Sequence, residues 1–218
     1  MNVIKLMITL VLSYLAGSIP TAVWTGKIFH HIDIREHGSG NAGATNVIRV
    51  LGWKAGIPVM ILDVFKGWVA ASLPVFIQIS GPATATMVNL QILCGLLAIT
   101  GHIYPVFAGF RGGKGVATIF GVLLALNPLL TLSCVGVFLA VLFISGYVSL
   151  SSMSAGVAFP LFLSLFFNAP SLIFSLFSFL VALAIIYTHR KNISRLLKGE
   201  EPKFIRIGAG KNKNRPRS

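Results

Sequence analysis

Three short stretches of this chain carry residue types suited to gripping an oxyanion. The first is His37-Gly38-Ser39-Gly40-Asn41-Ala42-Gly43-Ala44-Thr45-Asn46, followed by Arg49. Glycines let backbone N–H groups approach a ligand closely. Amides that converge at a turn or helix N-terminus favour phosphate, and Ser39, Asn41 and Thr45 can each donate a further hydrogen bond. A helix beginning near Gly43 would put Thr45 and Arg49, four apart, on one face. The bland alternative is a glycine-rich turn that caps a helix. The second stretch is Arg111-Gly112-Gly113-Lys114-Gly115. It resembles a phosphate loop, but a Walker pattern needs Gly at 108 and Ser or Thr at 115. This chain has Ala108 and Gly115, which rejects a nucleoside triphosphatase. Glycine amides and a lysine at a helix start still favour an oxyanion; the alternative is a basic juxtamembrane anchor. The third is His189-Arg190-Lys191-Asn192-Ile193-Ser194-Arg195. Its charge alone reads as an orientation signal after a span. His189, Asn192 and Arg195, three apart on one helical face, could also hold a hydroxyl or a phosphate oxygen.

What positions these stretches is a membrane. The 218 residues are 55% hydrophobic and only 11% charged, with a mean hydropathy of +0.84, too apolar for an ordinary soluble domain. A net charge of +13 raises the question of nucleic acid. The basic residues lie outside long apolar runs, however, which fits cytoplasmic loops of a membrane protein and no nucleic-acid partner. There are five Asp and Glu, too few and too scattered for a magnesium site, so no metal and no cofactor is expected. Cys94 and Cys134 sit in apolar runs as packing residues, with no disulfide framework or zinc site implied.

The first apolar run, residues 3–24, is too long for a signal-peptide core and is expected as one transmembrane helix, bent or ended by Pro20. Further spans are expected at 55–79, 87–103, 151–167 and 171–188, and the run 116–149 must split at Asn127-Pro128 into two. Asp63 and Lys66, three apart within a span, read either as a structural ion pair or as a brace under the site. The fold class is therefore an all-α polytopic membrane protein of about seven transmembrane helices. Loops at 80–86, 127–128 and 168–170 carry no charge, whereas 25–54, 102–115 and 189–218 hold nearly all the Lys and Arg. The positive-inside rule then places the N-terminus outside and the C-terminus in the cytoplasm, with all three polar stretches on the cytoplasmic face. Residues 1–201 form a single integral-membrane domain. Residues 202–218 form a basic tail, its end at 211–218 drawn to anionic lipid.

Five ordered motifs now carry a resemblance. They are Gly17-Ser18-Ile19-Pro20; Asp33-Ile34-Arg35-Glu36-His37 running into the first stretch; Asp63-Val64-Phe65-Lys66-Gly67; Gly101-His102-Ile103-Tyr104-Pro105-Val106-Phe107 with Gly112 to Thr118; and His189-Arg190-Lys191-Asn192-Ile193. Together, over residues 13–201, they resemble the PlsY family of acyl-phosphate:glycerol-3-phosphate acyltransferases. The resemblance implies a bacterial inner-membrane enzyme with seven helices and a cytoplasmic site. Its reaction would move a fatty acyl group from acyl phosphate to the 1-hydroxyl of glycerol 3-phosphate, giving lysophosphatidic acid and phosphate. It implies a phosphate pocket at Ser39, Gly40, Asn41, Gly43 and Thr45, and substrate contacts at Arg49, Gly113, Lys114, His189 and Asn192, with Lys114, His189 and Asn192 at the reacting groups. Membrane lipids and the enzyme that forms acyl phosphate are the expected partners.

The residues make chemical sense of this. No histidine has an Asp five residues on, and no Ser-His-Asp or Cys-His arrangement is plausible. Acyl phosphate is already activated, so the donor's own phosphate is expected to take the proton of the attacking hydroxyl while the protein positions and stabilises charge. His189 as general base is the rival. A transporter of a phosphorylated metabolite would share the apolar spans and cationic loops. Against it stand the gathering of charge on one face and the absence of an inverted repeat.

Overall fold

Pro20 divides the first apolar run. Its ring fixes φ and removes a backbone donor, and the first run breaks there as expected: α1 (Val3–Ser18) and α2 (Thr21–His30) meet at 45°, with helix continuing beyond the expected end at 24. The computed structural model describes residues 3–77 and 85–204. The expected turn at 80–86 lies largely outside the described residues, and the expected lipid-seeking end at 211–218 wholly so.

After a 3-10 turn at Ile34–Glu36 come α3 (Ala44–Leu51), α4 (Trp53–Phe76) and α5 (Ala85–Ile103). The run 116–149 splits where expected, into α6 (Val116–Leu126) and α7 (Pro128–Ser145). Asn127 caps α7, its side chain accepting from the Leu130 amide at 3.0 Å, with Pro128 in the first turn. Next are α8 (Val148–Phe166) and α9 (Leu172–Thr188), the latter capped by Ser171. A 56° bend at His189 leads to α10 (Arg190–Leu197).

The outward surface is apolar. On α9, Leu172, Leu176, Leu180 and Leu183 are exposed while Phe174, Phe177, Val181 and Ile185 are buried. A helix apolar on both faces, with its outer leucines uncovered, belongs in lipid. By length and composition α4, α5, α7 and α8 can each cross a bilayer, and the bent pairs α1–α2 and α9–α10 raise the number to six. Helix α6, with 11 residues, rises only about 16 Å against about 30 Å of hydrocarbon. The chain is an all-α, multi-pass membrane protein.

Helix α4 is the central post, packing on α1, α3, α5 and α6. At its crossing with α6 the backbones touch: a Cβ on Gly67 would strike the Thr118 carbonyl, and one on Gly121 the Val64 carbonyl. Such small-residue contacts drive helix association where no hydrophobic force exists between helices and lipid. The Asp63–Lys66 pair lies within this post. Asp63, 1% exposed, accepts from Thr21 Oγ1 at 2.6 Å and Lys66 Nζ at 2.8 Å, and lies 3.6 Å from His102 Nδ1. Lys66 Nζ also donates to the Ile19 carbonyl at the α1–α2 break (2.8 Å), and Thr118 Oγ1 lies 3.1 Å from His102 Nδ1. The pair thus ties together α2, α4, α5 and α6. A polar group at this depth needs such partners to offset its desolvation.

Candidate active site

The glycine loop is built around one side chain. Gly38 and Gly40 have φ of 62° and 71°, left-handed conformations that favour glycine, and a Cβ on Gly38 would run into the Asn46 amide. Asn46, buried, donates to the carbonyls of Ile34 and His37 at 3.0 Å each and accepts from the Ser39 amide at 2.8 Å. The chain then enters α3 from Gly43, so the helix expected near that residue forms. Thr45 and Arg49 face one cavity together with Ser39, Asn41 and Gly43. Gly40 does not line it; its amide closes a turn onto the His37 carbonyl at 3.0 Å.

The second stretch works differently from the expectation drawn from its glycines. The amides of Gly112 and Gly113 donate to the carbonyls of Ile103 (3.1 Å) and His102 (3.2 Å). They satisfy the last turn of α5, whose carbonyls have no partner within the helix. Gly113 packs against Ala42 and His102, away from the main cavity. Lys114 and Gly115 reach the cavity. The charge this loop presents there is the Lys114 ammonium, while the amides of Gly112 and Gly113 are taken by the end of α5.

His189 and Asn192 approach from the far end of the sequence. They do not share one continuous helix, as their spacing implied; His189 sits at the bend and Asn192 in the first turn of α10. Both are buried and line the same cavity. Lys114 Nζ donates to Asn192 Oδ1, and Asn192 Nδ2 donates to Glu201 Oε1 at 2.6 Å. Glu201 also accepts from Ser149 Oγ and Arg195 Nε, each at 2.7 Å. Its carboxylate therefore orients the Asn192 amide so that the carbonyl meets Lys114. Glu201 and Ser149 escaped the reading of the sequence, and Asn46 stood in it only as the last residue of the glycine stretch. Glu201 carried one signal, as one of five acids in a cationic chain; Ser149 looks like any polar residue in a helix.

The cavity, about 790 Å³, is polar at one end and apolar beyond. Ser39, Thr45, Arg49, Lys114, His189 and Asn192 belong to the polar end, while Phe120, Leu124, Phe138 and Phe159 line the apolar part. Burial, with Arg195 and Arg49 nearby, pushes Lys114 down to about 8 despite the pull of Glu201. Burial and the Lys114 charge push His189 down to about 4, and its Nδ1 lies 2.7 Å from the Ile185 carbonyl. A carbonyl only accepts, so Nδ1 carries the proton and Nε2 is the free acceptor. Burial alone would raise Glu201, but its three donors hold it below the ordinary carboxylate range. The arrangement can bind anionic groups at one end and a long apolar group at the other.

Comparisons with known proteins identify the family. A sequence model of the glycerol-3-phosphate acyltransferase family matches residues 7–199. A glycerol-3-phosphate acyltransferase of Listeria monocytogenes is 50% identical over 201 residues, covering 92% of this chain and 98% of its own length. One from Chlorobium phaeobacteroides is 44% identical over 223 residues, covering 90% and 95%. Among solved structures, the fold resembles PlsY (YgiH), an integral membrane glycerol 3-phosphate acyltransferase. Its glycerol 3-phosphate form superposes with a TM-score of 0.80 at 37% identity, covering 91% of this chain and 95% of that one. Its lysophosphatidic acid form gives 0.76 at 36%, covering 91% and 94%. With this match along nearly its whole length, the chain belongs to the PlsY family of integral-membrane glycerol-3-phosphate acyltransferases.

Proposed function

We propose that the polar end of the cavity holds the phosphates of both substrates while the apolar part takes the fatty chain. The activity is transfer of a fatty acyl group from acyl phosphate to glycerol 3-phosphate, giving lysophosphatidic acid and phosphate. The observation that carries the site assignment is the lining of the cavity: three stretches remote in sequence meet at one end of an otherwise greasy slot. Ser39, Asn41, Gly43 and Thr45, with Gly40 shaping the turn, form one phosphate pocket. Arg49 and Lys114 neutralise charge, and His189 Nε2 and the Asn192 amide align the 1-hydroxyl. That oxygen attacks the acyl carbon, the bond from the acyl carbon to the phosphate oxygen breaks, and the departing phosphate takes both the electron pair and the hydroxyl proton. A phosphate whose second pKa is about 6 is a better proton acceptor near neutrality than a histidine pushed down to about 4. The protein's share is alignment and charge stabilisation. The test is purified protein given synthetic acyl phosphate and glycerol 3-phosphate: phosphate release that needs both supports the reading, and uptake into vesicles without release would support transport instead.

The same reading includes the topology. Counting α6 as a short crossing beside the six others gives seven, with the N-terminus outside, the C-terminus in the cytoplasm of a bacterial inner membrane and the polar end opening inward. Residues 1–201 act as one domain. The end of the basic tail, 211–218, is drawn to anionic lipid, and the acyl-phosphate-forming enzyme is a partner. Single cysteines placed at Ser39, Lys114 and Asn192, in a chain whose Cys94 and Cys134 are replaced by Ala, are expected to react only with a reagent supplied to the cytoplasmic side. Labelling of any one of them from outside in intact cells overturns this topology.

A further inference from the structure

Arg35 makes contacts that none of the roles above uses. Its Nε donates to Asp33 Oδ1 at 2.9 Å and its Nη2 to Asp33 Oδ2 at 2.7 Å, a side-on fork that fixes the guanidinium plane. Asp33 itself caps the turn Ile34–Glu36 by accepting from the Arg35 amide at 3.1 Å, with Lys27 Nζ 3.3 Å from its second oxygen. Pinned this way, Arg35 sends Nη1 across to another loop, donating to the carbonyls of Ala108 (2.9 Å) and Arg111 (3.3 Å).

We propose that Arg35 is a positioning residue for acyl transfer, a clasp that sets the spacing between the glycine loop before α3 and the Lys114 loop before α6. The proposal rests on the reading that these two loops grip the substrates. On one side of the clasp, Asn46 ties the Ile34 and His37 carbonyls to the Ser39 amide. On the other, Arg111 leads through two glycines to Lys114. Between the two accepting carbonyls lie Gly109 and Phe110, with φ of 62° and 58°. A left-handed Phe is sterically disfavoured and persists only where its surroundings over-determine the backbone. Arg35 supplies that restraint by binding the carbonyl on each side of the pair. The two oxyanion grips are otherwise parts of separate segments, and the reaction needs the acyl carbon of one substrate in line with the hydroxyl of the other.

Loss of the clasp leaves each loop able to hold its own substrate and removes only their mutual alignment. In the full-length enzyme in lipid, Arg35→Ala and Arg35→Lys are therefore each expected to lower kcat by about ten- to a hundredfold, with KM for either substrate within about threefold of wild type. Lysine does not rescue because an ammonium cannot make the fork and reach two carbonyls as well. Added guanidinium is expected to restore several-fold turnover to Arg35→Ala and none to wild type. Wild-type kcat in Arg35→Ala, a loss confined to KM, or a fall in melting temperature without guanidinium rescue overturns the proposal. Arg49→Ala and Lys114→Ala test the grip separately: wild-type turnover in both would remove the site reading itself, whatever Arg35 does.

Discussion

Lys114→Ala is expected to lower kcat/KM for glycerol 3-phosphate by about a hundred- to a thousandfold, the loss typical of a donor aimed at reacting oxyanion charge in a dry site. The reason lies in its setting: it is the cation its loop delivers to the cavity, hydrogen-bonded to Asn192. The pH dependence makes the assignment sharper. With its pKa lowered to about 8, Lys114 is charged below that pH in the free enzyme and neutral above it. Thus kcat/KM should hold level up to about pH 8 and then fall toward tenfold per unit, while a bound phosphate favours the charged form and keeps kcat level further into alkali. Lys114→Arg stays protonated throughout, so its plateau should be lower but its alkaline fall absent. An alkaline limb unchanged in Lys114→Arg would show that another group governs it. The same lowering has a consequence for stability. Between about 8 and the ordinary 10.5 the unfolded chain binds more protons at this lysine than the folded one, so its contribution to stability rises with pH across that window.

His189→Ala should reduce kcat by about a hundredfold or more, and His189→Gln by only about tenfold, because the amide can still meet a hydroxyl although it cannot hold a proton. Neutral imidazole with Nδ1 turned to the Ile185 carbonyl offers Nε2 as a fixed acceptor. Its low proton affinity suits steering better than storage. If the donor phosphate is the base, the acid side of the kcat profile keeps its shape in both variants. The opposite result, equal loss in Gln and Ala together with disappearance of the acid limb, would make His189 the general base.

Local properties of the chain account for much of what was found. Apolar run length, Pro20, Asn127-Pro128 and Ser171 located the spans and most of their ends, since burial in lipid forces helices and their caps are chemical. Pattern also marked Ser39, Thr45, Arg49, Lys114, His189 and Asn192, because few residue types can bind oxyanions and these stand out in a greasy chain. Tertiary structure decided the partners. Lys114 meets Asn192 across 78 positions, and Asn192 owes its orientation to Glu201, a residue that belonged to no motif. The amides of Gly112 and Gly113 serve the carbonyls at the end of α5, which have no partner within the helix. Asn46, read as one more polar residue in a glycine stretch, proved to be the strut of that loop. A side chain's chemistry is carried in its own atoms, but which group satisfies it depends on packing between helices far apart in sequence, and no spacing along the chain encodes that distance.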